Sequence, residues 1–489
     1  MSSKQQVIIP IIPVATATAT AAATPDTQST AAPMPIRDAV EGFFVRNRHR
    51  LIWVHLMAFI VFVVVITLPL FLSEAPETAT PLTHFTTFAN YLIWGLWFPL
   101  VFLSVIFTGR SWCGLFCPMG AATEWTNKVG LQREIPAWLR WEGTPAVSFI
   151  LTTIWGQTVG VRDHPEAAAL VFGGTMLAAL VIGFLYGRKK RAWCRHLCPI
   201  GRLLGLYSRL GAIQFAPQVK RPGRDAYSEK GACPTMIDLV GKNESRHCIE
   251  CFRCVNPTAK GSVRMEFRRP GVEIENIREN RANQAEAWFL FLDTGVALGA
   301  FLWLVLPKYQ ALRQSLGAWS LDRGWTWLLE PGPSWLVSVH PQRGEVFLWL
   351  DFFTISGFMI AWMIAMAVLL ASTTAAAAYL SGRVGGDGRF RRRFSELGYQ
   401  YAPVAMVSLI IGLGALLFDP IKLTPLGTAG VHAVKGGLFV LGVIWSVWLS
   451  QKILARQGVP ASRRWLPILP GIAGSIVIGA CWWPAIFGA

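Results

Sequence analysis

No glycine-rich nucleotide fingerprint, no Ser-His-Asp arrangement and no phosphate-cradling loop stands in this sequence, which leaves nucleotide-driven and triad-hydrolase chemistry without a motif. Charge is scarce as well: Asp, Glu, Lys and Arg make up 15% of the 489 residues, against 53% hydrophobic and 12% aromatic. With a mean hydropathy of +0.42, this composition excludes a water-soluble globular chain and fits one that crosses a membrane many times. Acidic residues are the scarcer sign, 28 against 45 Lys and Arg, for a formal net charge of +17. The basic residues sit in short clusters between apolar runs, and the polar stretches lack an aromatic-rich platform. The charge therefore reads as membrane topology, and nucleic acid is not an expected partner.

The N-terminal stretch, rich in Ala, Thr, Pro and Ser from Ala15 to Thr30, lacks the ordered parts of a signal peptide. It cannot bury enough apolar surface to fold, and residues 1–45 are expected to form a disordered tail. Apolar runs long enough to cross about 30 Å of hydrocarbon as helices then occur near 51–73, 89–108, 144–161, 167–187, 286–307, 346–373, 400–418, 430–451 and 465–487. The expected fold is an all-α polytopic membrane protein of about nine transmembrane helices. Clusters at Arg46 to Arg50, Lys128 to Arg140, Arg188 to Arg191, Arg383 to Arg393 and Lys452 to Arg464 fall on one side, while 74–88 has no Lys or Arg. By the positive-inside rule that side is cytoplasmic and includes the N-terminus, in a bacterial inner membrane. The Trp- and Pro-rich stretch 308–345 is then the main external element, with Trp319 to Trp335 an interfacial belt.

Eight of the nine cysteines come in groups. Arg110-Ser-Trp-Cys113-Gly-Leu-Phe-Cys117-Pro118-Met-Gly120 and Arg191-Ala-Trp-Cys194-Arg-His-Leu-Cys198-Pro199-Ile-Gly201 are two copies of one motif, each following a pair of apolar runs. Residues 46–215 are therefore a duplicated membrane hairpin ending in a thiol pair. On a continuous helix the C-x3-C spacing sets both thiols of a pair on one face. The apolar stretches after each Cys-Pro, such as Leu203 to Ala216, are too short to span and are expected along the membrane interface. The two pairs offer four thiolates for a second [4Fe–4S] cluster, soft ligands for a copper or iron ion, or redox thiols. Arg110, Arg191, Arg195 and His196 would stabilise thiolates there, or serve as positive-inside anchors.

The third group lies in the cytoplasmic segment 216–285. Cys248-Ile-Glu-Cys251-Phe-Arg-Cys254 has the C-x2-C-x2-C spacing that supplies three corners of a [4Fe–4S] cluster, and Cys233, followed by Pro234, is the expected fourth ligand. Where bacterial ferredoxins place a further Cys-Pro, this chain has Thr258 and Ala259. Zinc is the competing ligand for four cysteines, but it favours two separated pairs.

These residues resemble the membrane-bound polyferredoxin-type proteins found with periplasmic nitrate reductase and nitrous-oxide reductase (NapH and NosR types), and a related assembly factor that handles copper for cytochrome oxidase. The resemblance covers roughly 50–270. It implies electron transfer through iron–sulfur centres at the cytoplasmic membrane, serving a periplasmic redox enzyme or metal handling. The chain departs from that pattern in its single cysteine triple, in showing no flavin-binding outer domain before the first span, and in about four further spans over 286–489. The extended layout is similar to the ferredoxin-like component of bacterial ferrous-iron uptake systems, which works beside a permease and periplasmic metal-binding proteins.

The expected function is that of an inner-membrane electron carrier between a cytoplasmic or quinone-pool partner and a membrane or periplasmic redox or metal-uptake system. The alternative is a copper- or iron-handling accessory whose Cys113, Cys117, Cys194 and Cys198 bind or reduce the ion. Ionisable residues within spans are the remaining candidates: Asp293, Asp351, His55 and His432, the histidines as haem ligands or quinone partners. His84, His164 and His340 fall on the external side.

Overall fold

In the computed structural model the described residues are 35–487, apart from 74, 77, 189, 218–232, 240 and 256–262. Most of the expected tail, together with Thr258 and Ala259, lies outside them. Among the described residues the chain is helical nearly throughout, and its sheet is limited to two short antiparallel strand pairs.

Among the described residues seven helices are long and apolar enough to cross a membrane: Leu51–Phe71, Phe85–Thr108, Pro165–Leu185, Gln284–Val305, Trp349–Arg383, Gly427–Arg456 and Trp465–Phe487. The pair Phe390–Leu413 and Ala415–Lys422, bent by 82° where it breaks, is a broken span or a re-entrant loop. The remaining expected span, 144–161, is a helix of 15 residues, Thr144–Thr158, about 22 Å long at 1.5 Å per residue. That falls short of the membrane criterion, yet this helix joins both faces of the protein. Just before its start Glu142 accepts from Asn283 (2.9 Å), and at its end the Thr158 carbonyl accepts from the Ser338 amide of the far-side segment (2.8 Å). The architecture is the all-α polytopic one expected, with seven full-length helices, or eight with the broken pair, rather than nine.

Two local expectations are corrected. Residues 35–45, assigned to the tail, belong to the helix Pro35–Asn47, which opens on Pro35, carries Asp38 in its first turn and Arg46 in its last, as helix ends favour. It docks on the cysteine loop: Phe44 stacks on Phe252 at 4.5 Å, and Glu41 accepts from the Met265 amide at 2.8 Å. The helix after the second motif, Pro199–Tyr207, is buried along nearly its whole length and is not an interfacial helix. Thr144–Thr158 lies along it, with Phe98–Thr108 and Ala402–Leu413 beside it, and this cover makes the apolar stretch internal.

The strands Ile213–Pro217 and Val263–Phe267 pair antiparallel, Phe215 opposite Met265, and bracket the loop that carries the third cysteine group. Arg209, fully buried just before them, meets Glu244, Glu273 and Glu286 at 3.2, 2.9 and 2.8 Å. Since Glu286 belongs to Gln284–Val305, this ion cluster fastens the loop to the C-terminal membrane helices.

Candidate metal centre

The two copies of the motif fold alike around the second cysteine of each pair. Ser111–Leu115 and Ala192–His196 are short helices. The amides of Phe116 and Cys117 both donate to the Trp112 carbonyl (3.0 and 2.9 Å), and those of Leu197 and Cys198 to the Trp193 carbonyl (3.0 and 2.9 Å). Cys117 (φ −63°, ψ 114°) and Cys198 (φ −53°, ψ 119°) then leave the helical conformation, and new helices begin at Pro118 and Pro199. The pair of thiols therefore does not ride on one continuous helix. Proline excludes the α conformation from the residue before it and is favoured at a helix's first position, so each Cys-Pro step breaks one helix and starts the next.

The copies interlock reciprocally. A methyl group at Gly120 of the first would lie 3.0 Å from Arg191 Nη1 and 3.5 Å from Cys194 Sγ of the second; one at Gly201 of the second would lie 3.5 Å from Arg110 Nη2 of the first. Arg191 donates to the Cys113 carbonyl at 3.1 Å, and Arg110 lies 3.9 Å from Cys113 Sγ. Burial pushes the Cys198 thiol well above the ordinary range, and the neighbouring Cys194, Cys117 and Cys113 push it further. All four motif thiols thus share one field.

The third cysteine group is docked on both copies. On the second, Arg191 N donates to the Pro234 carbonyl (2.8 Å), Arg195 to the Thr235 carbonyl (2.9 Å) and Lys190 to the Cys233 carbonyl (2.9 Å). On the first, Gly114 lies so close that a Cβ there would be 2.0 Å from the Ile249 carbonyl oxygen and 3.0 Å from Cys251 N. Only glycine permits this approach. Glu250 and Phe252 adopt left-handed backbone (φ 53° and 58°), turning the chain sharply on either side of Cys251, a conformation that costs energy for residues with side chains. Burial raises the Cys254 thiol well above its usual range, with Cys248, Cys251 and Cys233 adding to it.

Burial also pushes Cys117 up to about 11 and Cys194 and Cys248 to about 12 each. Unligated, these thiols are neutral; a bound metal would hold them as thiolates. The cations that would balance that charge are in place. Arg110 and Arg191 are buried; Glu124 opposes that burial at Arg191 and holds its charge, and Arg110 donates to the Arg246 carbonyl at 2.7 Å. His196 does not join them: burial, then Arg195 and Arg140, lower it to about 4. None of the grouped cysteines is in a disulfide. Among the described residues no three of their sulfurs lie within 4.8 Å of one another.

The other intramembrane candidates have structural partners. His55 bonds the Gly114 carbonyl (3.0 Å), Asp351 pairs with Arg313 and accepts from the Leu348 amide (2.9 Å), His432 packs on Phe487, and His84 accepts from the Thr86 amide (3.3 Å). Asp293 is fully buried and accepts from Tyr207 (3.1 Å). Sequence reasoning missed Glu124, which bridges Arg191 and Arg253 at 2.8 and 2.7 Å; a lone carboxylate soon after Cys117 was the only signal. It also missed a cavity of about 240 Å³, lined by Cys113, Cys117, Cys198, Trp97, Phe172, Gln157 and Arg162, that runs from the motif thiols toward the far face.

Comparison with known proteins converges on the same region. A family described as "4Fe-4S binding domain" matches residues 91–139 and 169–215, which contain the two motifs. The methylamine utilization ferredoxin-type protein MauN of Paracoccus denitrificans is 29% identical over 26% of this chain and 47% of its own length. The ferredoxin-type protein NapH of Haemophilus influenzae is 26% identical over 35% of this chain and 66% of its own. Protein NirI of Paracoccus denitrificans is 24% identical over 34% of this chain and 26% of its own. The match thus spans less than two thirds of each of these relatives. No solved structure matches the chain.

Proposed function

We propose that this membrane-bound polyferredoxin-type 4Fe–4S protein carries electrons along its cysteine-bearing face through two centres. Cys233, Cys248, Cys251 and Cys254 would hold one [4Fe–4S] cluster, and Cys113, Cys117, Cys194 and Cys198 a second, each supplying one-electron redox chemistry when bound. The observation that carries this reading is the contact at Gly114: the loop between Cys113 and Cys117 lies directly against the main chain at Ile249 and Cys251. The two cysteine groups are thereby held in fixed relation by protein, not by a mobile linker.

The chain's own residues do three things. Arg110 and Arg191 place buried positive charge beside the motif thiols, which favours the anionic form a cluster presents. The Arg209 cluster and the Pro35–Asn47 helix hold the ferredoxin-like loop against the membrane helices. The apolar cavity at Cys113, Cys117 and Cys198 offers a quinone-sized partner a place beside the second centre, with Gln157 and Arg162 as its polar groups. In this reading the cysteine face is cytoplasmic in a bacterial inner membrane, as the loop charges indicate. A cytoplasmic donor or acceptor meets the ferredoxin-like loop, and the quinone pool or a membrane or periplasmic redox or metal-uptake system meets the second centre.

Low-temperature electron paramagnetic resonance on the anaerobically purified, dithionite-reduced protein tests this. Reduced cubane signals that broaden through interaction between two centres are expected. An unchanged spectrum on reduction would exclude electron transfer.

A further inference from the structure

His164, the residue before the helix Pro165–Leu185, is buried on the face opposite the cysteines. Its ring stacks on His340, centroids 3.6 Å apart and planes within 17°. Glu345 Oε2 lies 3.1 Å from its Nε2, and Arg343 Nη1 lies 2.9 Å from its Nδ1. One ligand atom each from His164, Glu166 and His340 fall within 4.8 Å of one another, with Glu166 exposed and His340 half-buried. Two segments distant in sequence thus bring two imidazoles and the Glu166 carboxylate together, with Glu345 beside His164.

We propose that His164, Glu166 and His340, with Glu345, form a binding site for a first-row divalent transition-metal ion. Imidazole and carboxylate together are the ligand set such ions take, with bonds of about 2.0–2.2 Å. Neighbouring ligands on one ion then sit roughly 3.0–3.4 Å apart, a distance His164 and Glu345 already show; the atoms of His164, Glu166 and His340, within 4.8 Å of one another, reach it as His340 turns out of its stack to aim a lone pair at the ion. The helix N-terminus and Arg343 oppose a cation here, and the carboxylates of Glu166 and Glu345 offset them.

A neutral His164 ring carries one proton, and a metal on Nε2, the nitrogen that faces Glu345, needs that proton on Nδ1. Arg343 donates to that same Nδ1 and must move aside, so it competes with the metal. The site lies apart from the cysteines and stands whether or not both cysteine groups hold clusters.

Equilibrium dialysis of the anaerobically purified full chain against Co²⁺, with cobalt and iron both counted, tests the proposal. The wild type should take up about one cobalt per chain with its iron unchanged; Glu166→Gln and His340→Ala should bind more than roughly 10-fold more weakly. Arg343→Met should bind more tightly, an effect that a purely structural His–Glu–Arg network would not produce. Iron retained at the wild-type level shows that each variant is folded. The proposal is overturned if the wild type takes up no cobalt, if His340→Ala takes up as much as the wild type, or if cobalt enters only as iron leaves.

Discussion

Arg191, in the second motif, donates through Nη1 to the carbonyl of Cys113 in the first at 3.1 Å and through Nε to Glu124 at 2.8 Å. One fully buried guanidinium therefore locks the two copies of the repeat together. Replacing it with Met leaves Glu124 to Arg253 alone and the Cys113 carbonyl without this donor. Breaking a buried pair typically costs about 3–5 kcal/mol. Arg191→Met should lower the unfolding temperature and lose iron from the motif centre first, and Arg191→Lys should lose less. Iron analysis alongside thermal unfolding checks this; wild-type iron in Arg191→Met would remove Arg191 from the assembly of the centre.

Gly114 and Gly173 make a controlled comparison. A Cβ at Gly114 would strike the Ile249 carbonyl at 2.0 Å, whereas one at Gly173 meets nothing within 4 Å. Gly114→Ala should detach the ferredoxin-like loop from the first motif and reduce cluster retention. Gly173→Ala should be neutral or stabilising by up to about 1 kcal/mol, as helix propensity allows. Equal iron retention in the two variants would show that the Gly114 contact does not matter.

Glu273 gives a pH dependence with a defined sign. Burial opposes its charge, but Arg209 and Arg268 outweigh that and hold the carboxyl below its ordinary value of 4.5. Its stabilisation is complete above the unfolded-state value and is lost as pH falls through the lowered folded-state value. Glu273→Gln should therefore be less stable at neutral pH, by roughly 3 kcal/mol for a broken buried pair. It should also show a shallower loss of stability below pH 4.5 than the wild type. Thermal unfolding followed from pH 7 to pH 3 decides this, and parallel profiles would contradict it.

The cavity beside Cys113, Cys117 and Cys198 carries its own test. Ala300 lines it, and Ala300→Phe places a ring in that space without touching a cysteine. Quinol-driven reduction of the protein should slow more than roughly 10-fold, about 1.4 kcal/mol in barrier, while the iron content holds. Unchanged reduction would exclude the cavity from the electron path.

Much of this arrangement was legible in the chain. Apolar runs revealed the spans because length and hydropathy are local, and the doubled Cys-x3-Cys-Pro motif marked the candidate site because residue type and spacing repeat in both copies. What could not be read depended on distant partners. The short helix Thr144–Thr158 looks like any other span until the far-side segment and Asn283 are seen meeting its two ends. Helicity of Pro35–Asn47 is decided by Phe252 and Met265, more than 200 residues on. The break before Cys117 and Cys198 was within reach, since Pro118 and Pro199 dictate it, but the C-x3-C spacing suggested an unbroken helix. His164 and His340 meet only because the far-side segment folds back on the helix start, which no local pattern announces.

The central claim is that the eight grouped cysteines hold two iron–sulfur centres, one shared by both copies of the repeat. Counting iron and acid-labile sulfide in the anaerobically purified chain tests it most directly. The account predicts about eight of each per chain, as two [4Fe–4S] clusters require, with about four lost in Cys194→Ser and the other four lost in Cys251→Ser. About four irons in the wild type, an iron count unchanged in Cys194→Ser, or zinc in place of iron would contradict it.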